Sequence, residues 1–320
     1  MSKIEVVGLG ALNIDNIYQV ERILEDGETV VKESASCPGG SAANTIYGLA
    51  KLGMSTGFIG AVGDDAEGKS LLQDFQNVGV DTRQTKVKHK AKTGSALCLS
   101  DELGRRSIYV LPGANNWLNM NDMDFDYINQ AKLLHVSSFV NDTQFKVLLE
   151  LVDKMASSTK VSFSPGALYA SKGLEALKPI LARTDVLFIN RSEMRQLTDD
   201  EVTSGAELCL KQGCKVVVVT MGKGVLYKSI EAVCYIMSEE NEYLVEAAQP
   251  DAQSLDTTGA GDAFATGFLY GLLNGKNLEE CGHLGDVVAQ FSVAKIGARQ
   301  GLPTLNELAQ RYRQLYNKQL

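Results

Sequence analysis

The sequence predicts an α/β fold in which a mainly parallel sheet is layered against helices. Apolar runs rich in β-branched residues alternate with stretches of helical periodicity, the pattern of parallel strands joined by crossover helices. Several runs are apolar at nearly every position, Val216–Thr220 among them, as expected for strands covered on both faces. The predicted core strands are residues 4–9, 55–62, 133–137, 160–163, 186–189 and 216–220.

Two regions break this alternation. Residues 14–36 and 92–112 contain short strand-like pieces joined by turns, and residues 101–104 (Asp-Glu-Leu-Gly) separate the last two pieces as a hairpin turn would. The chain contains no long linker, low-complexity segment or internal repeat. We therefore predict a single domain over residues 1–320 that carries a small extra sheet.

Composition excludes several classes of protein. The chain has 320 residues and a net charge of −8, and its short basic run at residues 86–92 is typical of a solvated loop, which argues against a nucleic-acid partner. Its six cysteines and three histidines show no zinc-binding spacing. No signal peptide and no apolar run of about 20 residues is visible, so we expect a cytoplasmic protein with reduced thiols and no membrane partner.

The segment Asp256-Thr257-Thr258-Gly259-Ala260-Gly261-Asp262 carries the strongest chemical signal. Its glycines permit close approach of a ligand to the backbone, and the apolar run that follows predicts a helix. The free amides and dipole of a helix N-terminus bind anions such as phosphate. Asp262 is either a base that removes a proton beside that anion or a helix-capping residue, and the segment alone leaves both interpretations open.

This segment resembles the signature of the ribokinase-like (PfkB) family of sugar and nucleoside kinases. The resemblance runs from about residue 4 to about residue 310 and implies a three-layer α/β/α sandwich with a β-sheet lid at residues 14–36 and 92–112. Four other segments match the family in chain order: Asn13-Ile14-Asp15, Gly39-Gly40-Ser41-Ala42-Ala43-Asn44, Asn190-Arg191-Ser192-Glu193 and Thr220-Met221-Gly222-Lys223-Gly224.

The resemblance implies a phosphoryl transfer in which Asp262 removes the proton from a primary hydroxyl. That oxygen would attack the γ-phosphorus of ATP, while the amides of Gly259, Ala260 and Gly261 stabilise the developing charge. The residues implied to bind the acceptor are Asn13, Asp15, Gly39, Gly40, Ser41 and Asn44. The residues implied to bind ATP are Asn190, Thr220, Gly222, Gly224 and Asp286. Asp286 departs from the resemblance, because the family often has Asn at this position near the adenine site.

The resemblance also implies metal sites. Glu193 would hold Mg²⁺ through water, because Mg²⁺ retains much of its hydration shell. Without the family, Asn-x-x-Glu is a common pattern at a helix start. Potassium or another monovalent cation would be held, mainly by backbone carbonyls, at Asp256, Thr258, Ser292, Lys295, Gly297 and Gly301.

A competing phosphate motif lies at residues 63–70, which fit the P-loop pattern G-x-x-x-x-G-K-[ST] with Lys69 as the phosphate lysine. Asp64, Asp65 and Glu67 stand in the same loop and would repel a triphosphate. The resemblance instead implies an ordinary turn between a strand and a helix. The alternatives to a small-molecule kinase are a P-loop NTPase and a non-catalytic sugar or nucleotide sensor on the same fold.

The acceptor is expected to be a free sugar or a ribonucleoside. Ser41 is neutral where phosphosugar-using and ribose-using relatives often carry Lys, although Arg105 or Arg106 on a lid could supply a cation. A nucleoside base would need an aromatic or apolar surface, and the candidate aromatics, each of a kind more often found in a core, are Tyr109, Phe139 and Tyr169. Lid strands of the resembling family sometimes pair across a homodimer.

Overall fold

A large sheet and a separate small sheet organise the molecule. The computed structural model describes residues 3–101, 105–222, 226–227, 229–248 and 254–320. The strands within these ranges are β1 (Val6–Leu9), β2 (Asn13–Val20), β3 (Val31–Gly39), β4 (Thr56–Gly63), β5 (Thr85–Lys88), β6 (Gly94–Asp101), β7 (Arg106–Leu111), β8 (Leu133–Ser137), β9 (Lys160–Ser164), β10 (Val186–Asn190), β11 (Val216–Thr220), β12 (Leu226–Tyr227), β13 (Ile230–Ser238) and β14 (Glu242–Glu246).

Helices connect most of these strands, as the alternating pattern predicts. They are α1 (Ser41–Lys51), α2 (Ala66–Asn77), α3 (Phe125–Asn129), α4 (Asp142–Lys154), α5 (Gly166–Ala170), α6 (Leu174–Leu181), α7 (Arg191–Thr198), α8 (Val202–Lys211), α9 (Ala260–Leu273), α10 (Leu278–Val293) and α11 (Leu305–Tyr316). None of the described helices is long and apolar enough to cross a membrane.

The large sheet has ten strands in the order β12-β13-β11-β10-β9-β8-β1-β4-β5, with β14 paired to β13. The strands from β11 to β5 pair in parallel. Strands β12, β13 and β14 extend the sheet in antiparallel pairs. The six predicted core strands are confirmed to within two residues at each end, whereas the antiparallel extension was not predicted.

Apolar side chains cover both faces of the large sheet. Val7 and Leu134 belong to a core on one face, which the helices α4, α6 and α8 complete. Their chain neighbours Val6 and Leu133 belong to a second core on the other face, which α1, α2 and α9 complete. Since successive strand residues point to opposite faces, continuous apolar strands produce these two cores. The predicted α/β architecture, with the sheet between helices, is confirmed.

The small sheet has four strands in the order β3-β2-β6-β7. They occupy residues 13–39 and 94–111, close to the regions in which the sequence predicts extra strands. Strands β6 and β7 are antiparallel, in agreement with a hairpin, although residues 102–104 of its turn lie outside the described residues. Strand β3 ends at Gly39 and leads directly into α1, so the small sheet is joined to the first helix of the domain.

Residues 63–70 form a capped strand-to-helix turn. The Asp65 carboxylate accepts hydrogen bonds from the amides of Gly68 at 2.9 Å and Thr93 at 2.7 Å, and the Gly63 amide donates to the Thr93 hydroxyl at 3.0 Å. Lys69 is exposed and lies 3.7 Å from a carboxylate oxygen of Asp64. Amides that already have partners are not free for phosphates. The P-loop interpretation therefore has no support, and the turn implied by the resemblance agrees with the contacts.

Candidate active site

Asp262 lies in the first turn of α9, at a position that the backbone leaves open. Gly259 precedes the helix with φ of 74°, a left-handed conformation, and a side chain there would collide with Ala298. A side chain at Gly261 would meet open space. The Ala260 amide donates to the carbonyl of Thr257 at 3.2 Å, so of the three predicted phosphate-binding amides this one has a partner. The remaining first-turn amides have no acceptor within a helix.

Two neutral donors from α1 hold the Asp262 carboxylate. The Ser41 hydroxyl donates to Oδ1 at 2.7 Å and the Asn44 side-chain amide donates to Oδ2 at 2.9 Å. Burial raises the pKa of Asp262 to about 6, although these hydrogen bonds and the more distant Arg299 guanidinium act to lower it. Asp262 is thus a half-buried carboxylate with a pKa close to neutrality. It does not serve as the α9 cap, a position that Gly259 occupies.

The predicted acceptor residues converge beside Asp262. Gly40 precedes α1 with φ of 102°, and a side chain there would meet the carbonyl oxygen of Ala11 at 2.1 Å, so only glycine fits this turn. A side chain at Gly39 would lie 2.1 Å from the Asp15 carboxylate, which therefore packs directly over the turn. The structure brings together all six of the predicted acceptor residues: Asn13, Asp15, Gly39, Gly40, Ser41 and Asn44.

Two buried residues that the sequence did not single out support this group. Asn115 donates to Asn13 Oδ1 at 2.8 Å and accepts from the Leu12 amide at 3.0 Å. Arg299 donates to Asn44 Oδ1 at 2.9 Å and to the Gly39 carbonyl at 3.1 Å. Asn115 follows Pro112 and Gly113, which mark a turn in the sequence, whereas Arg299 has no comparable local signal.

The predicted nucleotide residues lie at the carboxyl ends of two neighbouring strands. Asn190 and Thr220 are direct neighbours at the ends of β10 and β11, and Gly222 follows with φ of 75°. Such strand ends are where open α/β sheets bind ligands. Gly224 lies outside the described residues. Asp286 is apart from this pair, buried on α10, where it accepts from the Ala248 amide at 3.3 Å.

Glu193 is engaged in capping α7. Its carboxylate accepts from the Asn190 amide at 3.0 Å, and the Asn190 side chain accepts from the Glu193 amide at 2.9 Å, which completes a capping box. Burial raises the pKa of Glu193, and the nearby charge of Asp262 raises it further. The negative charge of Asp262 therefore disfavours ionisation of Glu193, and a cation bound near Glu193 would act in the opposite direction.

The predicted monovalent-cation residues join two loops. The Asp256 carboxylate accepts from the amides of Thr258 at 2.8 Å and Gly297 at 2.9 Å. A side chain at Gly301 would meet the carbonyl oxygen of Ser292 at 2.7 Å, and the buried Ser292 hydroxyl has no partner among the described residues. Lys295 is exposed, and its backbone amide lies 3.3 Å from the Ser292 carbonyl. Asp256 thus links the two loops through these amides, and the buried Ser292 residue supplies hydroxyl and carbonyl oxygens of the kind that hard cations bind.

A cleft of about 360 Å³ separates the small sheet from residues 254–258. Its described lining residues include Ile17, Ala35 and Cys98, which supply apolar surface, together with the carboxylates of Glu33 and Asp256. No lysine or arginine is among them. The described lining of the cleft is therefore part apolar and part acidic.

The cations and aromatics considered from sequence do not line the cleft. Arg105 is paired with Asp101 through a 2.8 Å hydrogen bond, and the Arg106 side chain lies outside the described residues. Phe139 and Tyr169 are buried in the core and cannot form a platform for a nucleoside base. Tyr109 pairs with Leu97, whereas the preceding residue, Ala96, pairs with Asp15. Because successive strand residues point to opposite faces of a sheet, Tyr109 lies on the face of the small sheet opposite to Asp15.

Comparison with known proteins agrees with this arrangement. Residues 1–305 match the model of the pfkB family carbohydrate kinase. An uncharacterized sugar kinase of Archaeoglobus fulgidus is 38% identical over 256 residues, 80% of this chain and 98% of that protein. A nucleoside kinase of Methanocaldococcus jannaschii is 28% identical and covers 97% of both chains. The solved structure of Arabidopsis thaliana ribokinase complexed with ribose and ATP matches with a TM-score of 0.81 at 25% identity, over 98% of this chain and 99% of that chain.

The raised pKa of Asp262 has a consequence for stability. Between the ordinary value of 3.8 and about 6, the folded chain binds a proton that the unfolded chain has lost. The contribution of Asp262 to the free energy of unfolding is thus fully present below pH 3.8 and is lost as pH rises through 6. The loss is at most about 3 kcal/mol. We expect the unfolding free energy of Asp262→Asn, relative to the parent protein, to increase between about pH 4 and pH 7.5 in urea titrations. An equal difference at both pH values would contradict the assigned environment.

Proposed function

The chain belongs to the pfkB family of carbohydrate kinases, phosphotransferases with an alcohol group as acceptor, and on that premise we propose that it transfers the γ-phosphoryl group of ATP to a primary hydroxyl of a small neutral sugar or ribonucleoside. The observation that carries this proposal is the Asp262 carboxylate, held by Ser41 and Asn44 at the open N-terminus of α9. Acceptor-binding groups and an anion-binding helix end meet there.

Asp262 is the proposed general base. Each Ser41 or Asn44 contact uses one lone pair of its carboxylate, which leaves others for an acceptor hydroxyl. A pKa of about 6 leaves the carboxylate mostly ionised at neutral pH and still basic enough to receive a proton in the transition state. The hydroxyl oxygen then forms a bond to the γ-phosphorus as the bond from that phosphorus to ADP breaks, and the proton remains on Asp262.

The first turn of α9 is the proposed phosphate site. Backbone amides of Gly259 and Gly261, with the helix dipole, would stabilise the charge that develops on the transferring group. Ala260 contributes to the shape of this turn, and its amide would have to leave the carbonyl of Thr257 to contact phosphate directly. Asn190, Thr220 and Gly222 would bind the rest of the nucleotide from the strand ends, with Gly224 and Asp286 as further predicted contacts.

The residues present suit two metal ions. Glu193, whose pKa is raised by burial and by Asp262, would gain from a nearby Mg²⁺ held through water. Bound Mg²⁺ would neutralise charge on the phosphates of ATP. The Asp256 carboxylate and the backbone oxygens around Ser292, Gly297 and Gly301 suit a K⁺ ion, with Thr258 and Lys295 contributing through the backbone. Asp262 and its donors carry out the proton transfer.

The cleft favours an uncharged acceptor. Glu33, which lines the cleft, would repel a sugar phosphate, by about 1 kcal/mol per charge pair at 4 Å in water and more at partial burial. Arg105, one of the two cations considered from the sequence, is paired with Asp101. The apolar surface of Ile17 and Cys98 would accept a nucleoside base or the carbon skeleton of a sugar.

Removal of the base should separate chemistry from binding. We expect Asp262→Asn to lower kcat by about 10²-fold to 10⁴-fold, because general-base catalysis contributes that factor. ATP affinity should change little, since Asn preserves the size of the side chain. Lys69→Ala is the matched control, and it should retain full turnover because Lys69 is exposed beside Asp64. Full turnover by Asp262→Asn would exclude the proposed base, and loss of ATP turnover in Lys69→Ala would revive the P-loop alternative.

An acceptor screen tests the substrate class. ATP consumption with ribose, fructose, adenosine, cytidine and inosine should exceed consumption with fructose phosphates, because the cleft is acidic. Glu33→Gln should reduce this preference in kcat/KM, whereas Glu25→Gln, an exposed change outside the cleft lining, should not. A preference of the parent protein for a phosphorylated acceptor would contradict the assignment. A complete lack of ATP consumption with every acceptor would favour the sensor alternative.

A homodimer through the small sheet is also proposed. Strand β7 is an edge strand, and its residues Ile108, Tyr109 and Leu111 are more than half exposed. Apolar edge strands of this kind tend to pair with another chain. Light scattering should give the mass of two chains for the parent protein, and Leu111→Lys should shift it toward one. A parent protein with the mass of a single chain would contradict the proposal.

A further inference from the structure

Arg299 is a buried guanidinium at the junction of four segments. Its side chain is 4% exposed and packs against the rings of Tyr47 at 5.2 Å and Phe75 at 5.0 Å. Besides its bonds to Asn44 and the Gly39 carbonyl, Arg299 donates to Asp74 on α2 at 2.7 Å. These partners together fix the orientation of the planar Arg299 guanidinium.

The bond from Arg299 decides which way the Asn44 amide points. Arg299 Nε donates to Asn44 Oδ1, so the Asn44 amide nitrogen faces Asp262 and donates to Oδ2. If the amide were reversed, its oxygen would face the Asp262 carboxylate and its NH₂ group would face the guanidinium. Both contacts would then be repulsive, because like groups would oppose each other. Arg299 therefore excludes the orientation in which Asn44 cannot hold Asp262.

Several charged groups surround Asp262. Glu193 lies on α7, where burial and the charge of Asp262 raise the pKa of Glu193. Arg299 acts from the loop after α10 and lowers the pKa of Asp262 against the larger effect of burial. The negative charges of Asp74, its ion-pair partner, and of Asp15 on β2 favour the charged form of the Arg299 guanidinium and act to raise its pKa. Removal of Arg299 would leave the carboxylates around Asp262 without this compensation.

We infer that Arg299 is a positioning residue for the phosphoryl transfer, which orients Asn44 so that Asn44 holds the Asp262 carboxylate toward the acceptor. The inference rests on the proposed function, in which Asp262 is the base. Arg299 is bonded to Asn44 and not to Asp262, so it positions the Asp262 carboxylate through Asn44. Through the Gly39 carbonyl, Arg299 also fixes the turn that joins β3 to α1.

Three single variants test this role in steady-state kinetics. Arg299→Lys keeps the charge but cannot reproduce the planar set of donors, so we expect kcat to fall by about tenfold or more. Asp74→Asn removes the ion pair and leaves the Arg299 contact to Asn44, and it should keep kcat near the parent value. Asn44→Asp still accepts from Arg299 but cannot donate to Asp262, so it should lose kcat even if Arg299→Lys fails to fold.

A double-mutant cycle and a pH profile separate positioning from a general loss of structure. In an Asn44→Ala background, Arg299→Lys should cause no further loss of kcat, because its effect passes through Asn44. In Arg299→Gln the acid limb of the kcat profile should move to higher pH, because the positive charge that lowers the pKa of Asp262 is removed. In Asp74→Asn the acid limb should stay or move to lower pH, because the Arg299 charge is no longer partly cancelled by Asp74.

The inference is overturned if Arg299→Lys and Asp74→Asn lower kcat equally, if the Arg299 and Asn44 changes are additive, or if Asn44→Asp keeps the parent kcat. The acid limb of Arg299→Gln remaining at the parent pH would also contradict it. The proposed base is judged separately by Asp262→Asn. If Asp262→Asn is inactive and Arg299→Lys retains the parent kcat, the base assignment stands and this inference alone fails.

Discussion

The partial burial of one carboxylate where two helices meet is the constraint on which this site depends. Helices α1 and α9 approach closely because Gly48 has no side chain, and a side chain there would meet Thr266 at 2.7 Å. The Thr45 hydroxyl and the Thr266 hydroxyl bridge the two helices by hydrogen bonds. This close contact brings Ser41 and Asn44 to Asp262, so that the carboxylate is held by neutral donors and keeps a pKa near 6.

Segments distant in sequence share this corner through hydrogen bonds. Gly297 donates to Asp256, Ala298 packs against Gly259, and Arg299 reaches Asn44 and the end of β3. Residues 297–301, which include two of the predicted monovalent-cation residues, thus also contain Arg299.

The sequence predicted the framework of the fold well and the site in part. Strands buried on both faces are visible in the sequence as continuous apolar runs. The turns at Gly40 and Gly259 are visible as glycines, because a side chain at either position would collide with its surroundings. Arg299 and Asn115 were missed because a buried polar residue is recognised by its partners, and those partners are distant along the chain. Phe139 and Tyr169, candidates for a base platform, lie in the core, since an aromatic residue in an apolar context has the same pattern in either role.

The central claim is that the transferred phosphoryl group and the acceptor hydroxyl meet at Asp262. A crystal structure with a non-hydrolysable ATP analogue and an accepted sugar or nucleoside tests it most directly. The account predicts the terminal phosphate at the first turn of α9 and a primary hydroxyl within hydrogen-bond reach of the Asp262 carboxylate. A terminal phosphate bound against residues 63–70, or an acceptor whose hydroxyls are remote from Asp262, would contradict it.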